Sequence, residues 1–199
     1  MPKLGMEPVR RQALVQATIA EVGARGSLDV TVSQIAKRAG MSSALAHHYF
    51  GGKDQIFLAA MRQILRDFAF EVRRGLVEAE SPMARAEAII DACFSDTCFA
   101  AETVSAWMTL YAQAQTNAQM LRLLQLYQHR LTSNLTHALR PLSELPRDAA
   151  ETLAALIDGL YLRSALARTQ SSDNAREMCR NTLKRLLDQE LRGDPMPAR

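Results

Sequence analysis

The sequence predicts an all-α protein of about nine helices, and three observations carry that expectation. Apolar residues recur at three- and four-residue steps along almost the whole chain, β-branched runs with a period of two are missing, and Gly, Ser and Pro stand where helices would stop and start. Residues from about 9 to 25 place Val15, Ile19 and Val22 on one stripe, with Gly26 as the stop. Thr31 followed by Gln34 forms a capping box, and Val30 with Ile35 has the spacing of a hydrophobic staple, so a second helix starts at Thr31. Gly40 ends it, and Ser42 caps a short third helix through Ser43, Ala44, Leu45, Ala46, His47 and His48. After Gly51 and Gly52 a long helix of roughly 54 to 78 carries Phe57, Met61, Ile64, Phe68 and Val72 on its apolar face. Ser81 and Pro82 open the next helix, with Ala86, Ile90 and Cys93 on its stripe. Another carries Val104, Trp107, Met108 and Tyr111, and a segment from about 118 to 139 carries Leu124, Tyr127, Leu131 and Leu135 before Pro141 and Pro146 close it. The last two helices, about 147 to 168 and 173 to 192, are separated by Ser171, Ser172 and Asp173, and the tail after Gly193 reads as disordered.

The composition supports a globular chain without staples. In 199 residues, 48% are hydrophobic and 23% charged, enough to bury a sizeable core with no disulfide or metal. No apolar run is long enough to span a bilayer and the opening residues lack a secretory leader, so the expected location is cytoplasmic. Cys93, Cys98 and Cys179 read as free buried thiols. Net charge is +3, but its distribution is uneven: through Lys53 seven basic residues face three acidic ones, a net of +4, and the remainder carries −1. That asymmetry divides the chain at 53/54 and points to an anionic partner, nucleic acid first, for residues 1–53.

Enzymatic readings find no support. His47 and His48 point about 100° apart on a helix, and no His-Glu-x-x-His pattern occurs. Cys93 and Cys98 lack zinc-ligand company, and Gly51-Gly52-Lys53 lacks the earlier glycine and following hydroxyl of a phosphate-binding loop. No catalytic residue, cofactor or metal is therefore expected.

The stretch from Thr31 to Lys53 reads as a helix-turn-helix, in which the second helix enters the major groove. Its early residues are Ser43, Ala44, Leu45 and His47. Ser43 can donate or accept at a base edge, His47 can donate to an acceptor, and Ala44 permits close approach or meets a thymine methyl. Phosphate contacts would come from Lys37, Arg38, His48, Tyr49 and Lys53, the last near a helix N-terminus that favours anions.

Thr31, Ile35-Ala36, Ala39-Gly40, Ser42, Tyr49-Phe50 and Lys53 stand as in the amino-terminal domain of the TetR family of bacterial repressors, and the chain resembles that family. Ala44 stands where the family usually has Gly, and His47 where it often has a phosphate-binding Tyr. The resemblance implies all-helical homodimers with a ligand-binding carboxyl-terminal domain, here residues 54–199. The opening MPKLGM with Arg10 and Arg11, the His48-Tyr49-Phe50 run, the Ala106-Trp107 region and LIDGLYLRSAL at 156–166 are similar to the choline-sensing branch that represses glycine-betaine biosynthesis. In such a protein Lys3, Arg10 and Arg11 would form or flank an arm that reaches DNA, and choline would relieve repression.

A quaternary ammonium ion cannot donate a strong hydrogen bond, so its site must offer aromatic faces, to which one carboxylate can add. Phe94, Phe99, Trp107 and Tyr111 fall in a short window, Tyr127 and Tyr161 lie on later helices, and Asp158, Asp91, Asp96 or Glu102 could supply charge. The alternative is that these aromatics only pack the core. Stripes at Leu153, Leu156, Ile157 and Leu160 and at Cys179, Leu183, Leu186 and Leu187 suggest a four-helix interface between two copies. Two competing functions stay open: a repressor of the same fold that senses another hydrophobic cation and controls efflux, and a helical interaction protein without specific DNA binding.

Overall fold

Nine helices and no strand occur among the described residues, 5–26, 28–167 and 171–192 of the computed structural model. They are α1 (Met6–Arg25), α2 (Val32–Arg38), α3 (Ser43–Phe50), α4 (Lys53–Glu78), α5 (Pro82–Cys93), α6 (Ala101–Ala114), α7 (Ala118–Leu139), α8 (Pro146–Ala167) and α9 (Ser172–Arg192). Lys3 and the tail after Gly193 lie outside the described residues.

The first helix starts at Met6, earlier than its apolar stripe implies. Pro8 falls in the first turn, where its missing N–H costs nothing, and Glu7 meets the positive end of the helix dipole. Its buried face is Leu14, Val15, Ala17, Thr18 and Val22, while Ile19 is half-buried. The third helix runs on to Phe50, where Gly51 adopts φ 80° and returns its N–H to the His47 carbonyl at 2.7 Å.

The chain forms two compact units. One joins the helices up to Arg66 with Ala100–Leu124, and the other joins Asp67–Phe99 with the residues from Gln125 onward. In the first, α1 packs on α2 and α6, and α2 packs on α3. Its core includes Leu14, Ile35, Ile56, Phe57, Met61 and Leu110.

The close approach of α1 to α6 depends on Gly23. A Cβ there would stand 2.5 Å from the Glu102 Cβ and 2.6 Å from its Cα, so the backbone itself would have to move. Gly23→Ala is expected to destabilise the fold by about 1–3 kcal/mol, even though alanine is the better helix former. A denaturant titration checks this, and an unchanged midpoint would show that α6 can yield.

In the second unit α9 packs on α5 and α8. Leu153, Ile157 and Leu160 of α8 and Cys179, Leu183, Leu186 and Leu187 of α9 are buried within this one chain, and Leu156 is half-buried. This corrects the expectation that these stripes face a second copy. An amphipathic stripe reports that a face is covered, and here the subunit's own helices cover it. The three thiols are buried as expected, and burial pushes Cys179 up to about 12, so it stays protonated and acts as a small core residue.

Candidate functional site

The helix-turn-helix is built by short-range bonds. Thr31 Oγ1 accepts from the Gln34 N–H at 3.2 Å and Gln34 Oε1 accepts from the Thr31 N–H at 2.8 Å, the reciprocal box that starts α2. At its other end Gly40 takes φ 68°, its N–H reaches the Lys37 carbonyl at 3.1 Å, and the Met41 N–H reaches Ala36 at 2.8 Å. That Schellman pairing turns the chain, and Ser42 Oγ then accepts from Leu45 N–H at 3.2 Å to start α3.

Only Ala46 of α3 is buried. Ala44, His47 and His48 are exposed, and Ser43, Leu45 and Tyr49 are half-buried. His47 Nδ1 lies 3.0 Å from the Gly51 carbonyl oxygen. A carbonyl only accepts, so Nδ1 donates and the neutral ring presents Nε2 outward as an acceptor. That geometry suits a base amino group, whereas donation to a guanine edge would require the protonated ring.

The basic residues divide between structure and surface. Arg38 is held by Glu21 of α1 at 2.6 Å, and Arg11 bonds Glu7 at 2.8 Å while its guanidinium lies 5.4 Å from the Tyr49 ring centre and 5.1 Å from that of Phe50. Arg10 and Arg11 thus sit inside α1, with Arg11 fastening α1 to the end of α3. Lys37 and Arg10 are exposed, and Lys53 is the half-buried first residue of α4. Glu21 and Phe50, which complete these contacts, carry no local sequence signal for the role.

The aromatic candidates fall into three groups. In the second unit, Phe94 and Phe99 meet edge to face at 5.2 Å, and Tyr161 stands 6.0 Å and 5.1 Å from them. The Tyr161 hydroxyl is directed at the Cys93 and Cys98 carbonyls, the latter at 3.1 Å. Tyr127 instead meets Phe68, a residue of the apolar stripe of α4, at 6.1 Å. Trp107 and Tyr111 pair at 6.3 Å on α6 in the first unit.

The carboxylates separate as clearly. Asp91 is taken up by Arg176 and Arg180 of α9, and Arg176 also donates to the Phe94 carbonyl at 2.9 Å, tying down the end of α5. Asp96 is exposed, and Glu102 lies against Gly23. Asp158 is half-buried one helical turn before Tyr161. The Cys93 thiol is raised well above its usual range by burial first, then by Cys98, Cys179, Asp158 and Asp91, which places the Asp158 charge near the residue preceding Phe94. Among the described residues no cluster of His, Cys, Asp and Glu could hold a metal ion, and no helix is long and apolar enough to cross a membrane.

Residues 14–60 match the family model for bacterial regulatory proteins of the tetR family, and residues 82–188 match that for the carboxyl-terminal domain of BetI-type transcriptional repressors. The chain belongs to the TetR family, in its BetI-type branch. It is 52% identical over 168 residues to the HTH-type transcriptional regulator BetI of Brucella melitensis biotype 2, covering 83% of this chain and 85% of that protein. To the regulator of the same name from Agrobacterium fabrum it is 48% identical, with 83% and 82% covered. Among solved structures, a transcriptional regulator from Pseudomonas aeruginosa PAO1 superposes with a TM-score of 0.75 at 24% identity, covering 97% of each chain. A regulator from Saccharomonospora viridis in complex with choline does so with a TM-score of 0.75 at 20% identity, covering 87% and 95%. As a BetI-type TetR protein the chain is a DNA-binding transcriptional repressor, and the helix-turn-helix described above is its DNA-binding element.

Proposed function

We propose that this repressor works as a homodimer on a roughly palindromic operator beside genes for converting choline to glycine betaine, and that choline releases it. Residues 1–53 serve DNA and residues 54–199 serve the effector and the second subunit. The observation that carries the effector half is the aromatic triad Phe94, Phe99 and Tyr161, with the Asp158 carboxylate one turn from Tyr161: π faces beside a negative charge. The fold shared with the choline-bound S. viridis regulator supports the same reading. Tyr127, in the same unit as the triad, remains a candidate for the rest of the cage.

For the DNA half, Ser43, Ala44 and His47 meet base edges, while Thr31, Ser42, His48, Tyr49, Lys53, Arg10 and Arg11 serve the backbone or hold the readers in place, with Lys3 as the arm. For the dimer, the faces of α8 and α9 that remain open carry Leu162, Leu166 and Met178, and these replace the buried stripes as the surface for the second copy. Choline weakens repression only by favouring a state whose half-site spacing misfits the operator, because a ligand with equal affinity for both states shifts nothing. The α4 helix, shared by both units, is the lever.

Fluorescence anisotropy on labelled operator DNA, at fixed salt and with excess bulk DNA, tests both halves. Specific binding lost on adding choline is the expected result, and Asp158→Asn should need at least about tenfold more choline for the same release. Operator binding that choline leaves unchanged but a bulkier hydrophobic cation abolishes would replace the effector assignment. Lys53→Ala is expected to weaken binding to every DNA sequence alike and to reduce the salt slope by about one per protomer. A change in sequence preference instead would move Lys53 from phosphate to base.

A further inference from the structure

The second unit holds a groove of about 450 Å³ whose chemistry is opposite in sign to a choline site. Its walls include Arg85 of α5, His129 and His137 of α7, Arg140 just past the end of that helix, and Arg147 in the first turn of α8, and among the described residues no Asp or Glu lines it. Along α7, positions 129, 132, 133, 136 and 137 share one face, with Asn134 and Ala138 beside them, so Thr132, Ser133 and Thr136 place hydroxyls between the two histidines. A face that merely met solvent would mix charge signs, as the rest of this nearly balanced chain does.

The cations are also available. Among the described residues neither Arg85 nor Arg140 is in an ion pair, and Arg147 shares one nitrogen with Glu151 at 3.0 Å, with its side chain 79% exposed. Thr136 spends its proton on the Thr132 carbonyl at 2.8 Å and keeps its oxygen facing the groove, whereas the Thr132 and Ser133 hydroxyls keep protons to donate. Arg85 and Arg140 gather beside the mostly exposed Arg147, and planar N–H forks of this kind fit phosphoryl or carboxylate oxygens in pairs. The volume suits a small molecule.

We propose that this groove binds a small, multiply charged oxyanion, carrying phosphoryl or carboxylate groups, as a second ligand of the repressor. Arg85 and Arg140 grip it from opposite walls, and the α7 hydroxyls and ring N–H groups complete its hydrogen bonds. The assignment does not depend on choline being the effector.

The test is isothermal titration of the full-length protein with pyrophosphate and, separately, citrate, at ionic strength held constant with sodium chloride. Saturable binding of at least one probe is expected. It should weaken at least tenfold in R85Q/R140Q and persist in R73Q, which removes an exposed cation of α4 outside the groove. Pyrophosphate alone would mark the ligand as a phosphoryl compound, and citrate alone as a polycarboxylate. Circular dichroism melting shows that the variants fold; should the double variant fail there, R140Q, exposed just past the end of α7, carries the comparison. No saturable binding to the wild type, equal binding by the arginine variants, or a matching loss of operator affinity in them would overturn the proposal, the last by assigning the arginines to DNA phosphates.

Discussion

Ala44→Glu is expected to abolish specific operator binding while leaving the fold as stable as before. Ala44 is exposed and is the second residue of α3, behind the Ser42 cap. A carboxylate in the first turn of a helix is favourable by about 0.3–1 kcal/mol, because it meets the exposed N–H groups. The same carboxylate would enter the groove between two rows of phosphates and take the space that the small methyl leaves for a base edge. A loss of at least about a hundredfold in affinity follows, roughly 2.8 kcal/mol at 1.4 kcal/mol per decade, and a dimer incurs it in both half-sites. Anisotropy at fixed salt measures the affinity and a circular dichroism melt measures the fold. Unchanged affinity in the folded variant would mean that α3 does not present Ala44 to the bases.

Phe94→Ala should act on stability and effector response together. The ring is fully buried, meets Phe99 edge-on at 5.2 Å, and is tilted against Tyr161 at 6.0 Å. Removing a buried phenyl ring costs about 3–5 kcal/mol, the transfer term plus the cavity it leaves. For a chain of this size each kcal/mol moves Tm by roughly 2–4 °C, so a fall of about 10 °C is expected. The bond from the Arg176 guanidinium to the Phe94 carbonyl can persist, since it does not involve the ring. The rise in Tm on adding choline should disappear in this variant. Tyr161→Phe provides the contrast: it keeps the ring and removes only the hydroxyl that serves the Cys93 and Cys98 carbonyls, so choline stabilisation should survive a lowered Tm. A Phe94→Ala protein that still gains stability from choline would remove the triad from the effector site.

The parts of the DNA-binding element that could be read from sequence are those decided within a few residues. Thr31 with Gln34, Gly40 and Ser42 each act on backbone groups no more than four positions away, so residue type and spacing suffice. The start of α1 escaped the same reasoning, because Met6, Glu7 and Pro8 extend the helix without contributing to its apolar stripe. Of the candidate site residues, Phe94, Phe99 and Tyr161 converge, whereas Tyr127 pairs with Phe68 and Arg11 with Tyr49 and Phe50. A helical stripe says that a side chain is covered without naming its cover.

By itself the sequence determined the all-helical class, the capped helix-turn-helix and the excess of positive charge around it, because helix period, caps and turn glycines are local properties of the chain. Only the tertiary structure decided that Arg38 is spent on Glu21, that Gly23 must be bare beneath Glu102, that two arginines neutralise Asp91 while Asp158 lies near the aromatic triad, and that the apolar stripes of α8 and α9 are covered within the subunit. Each of these depends on which distant helix packs against which face. Coulombic attraction and close packing act only across the short distances that folding creates, so residue spacing along the chain carries no record of them.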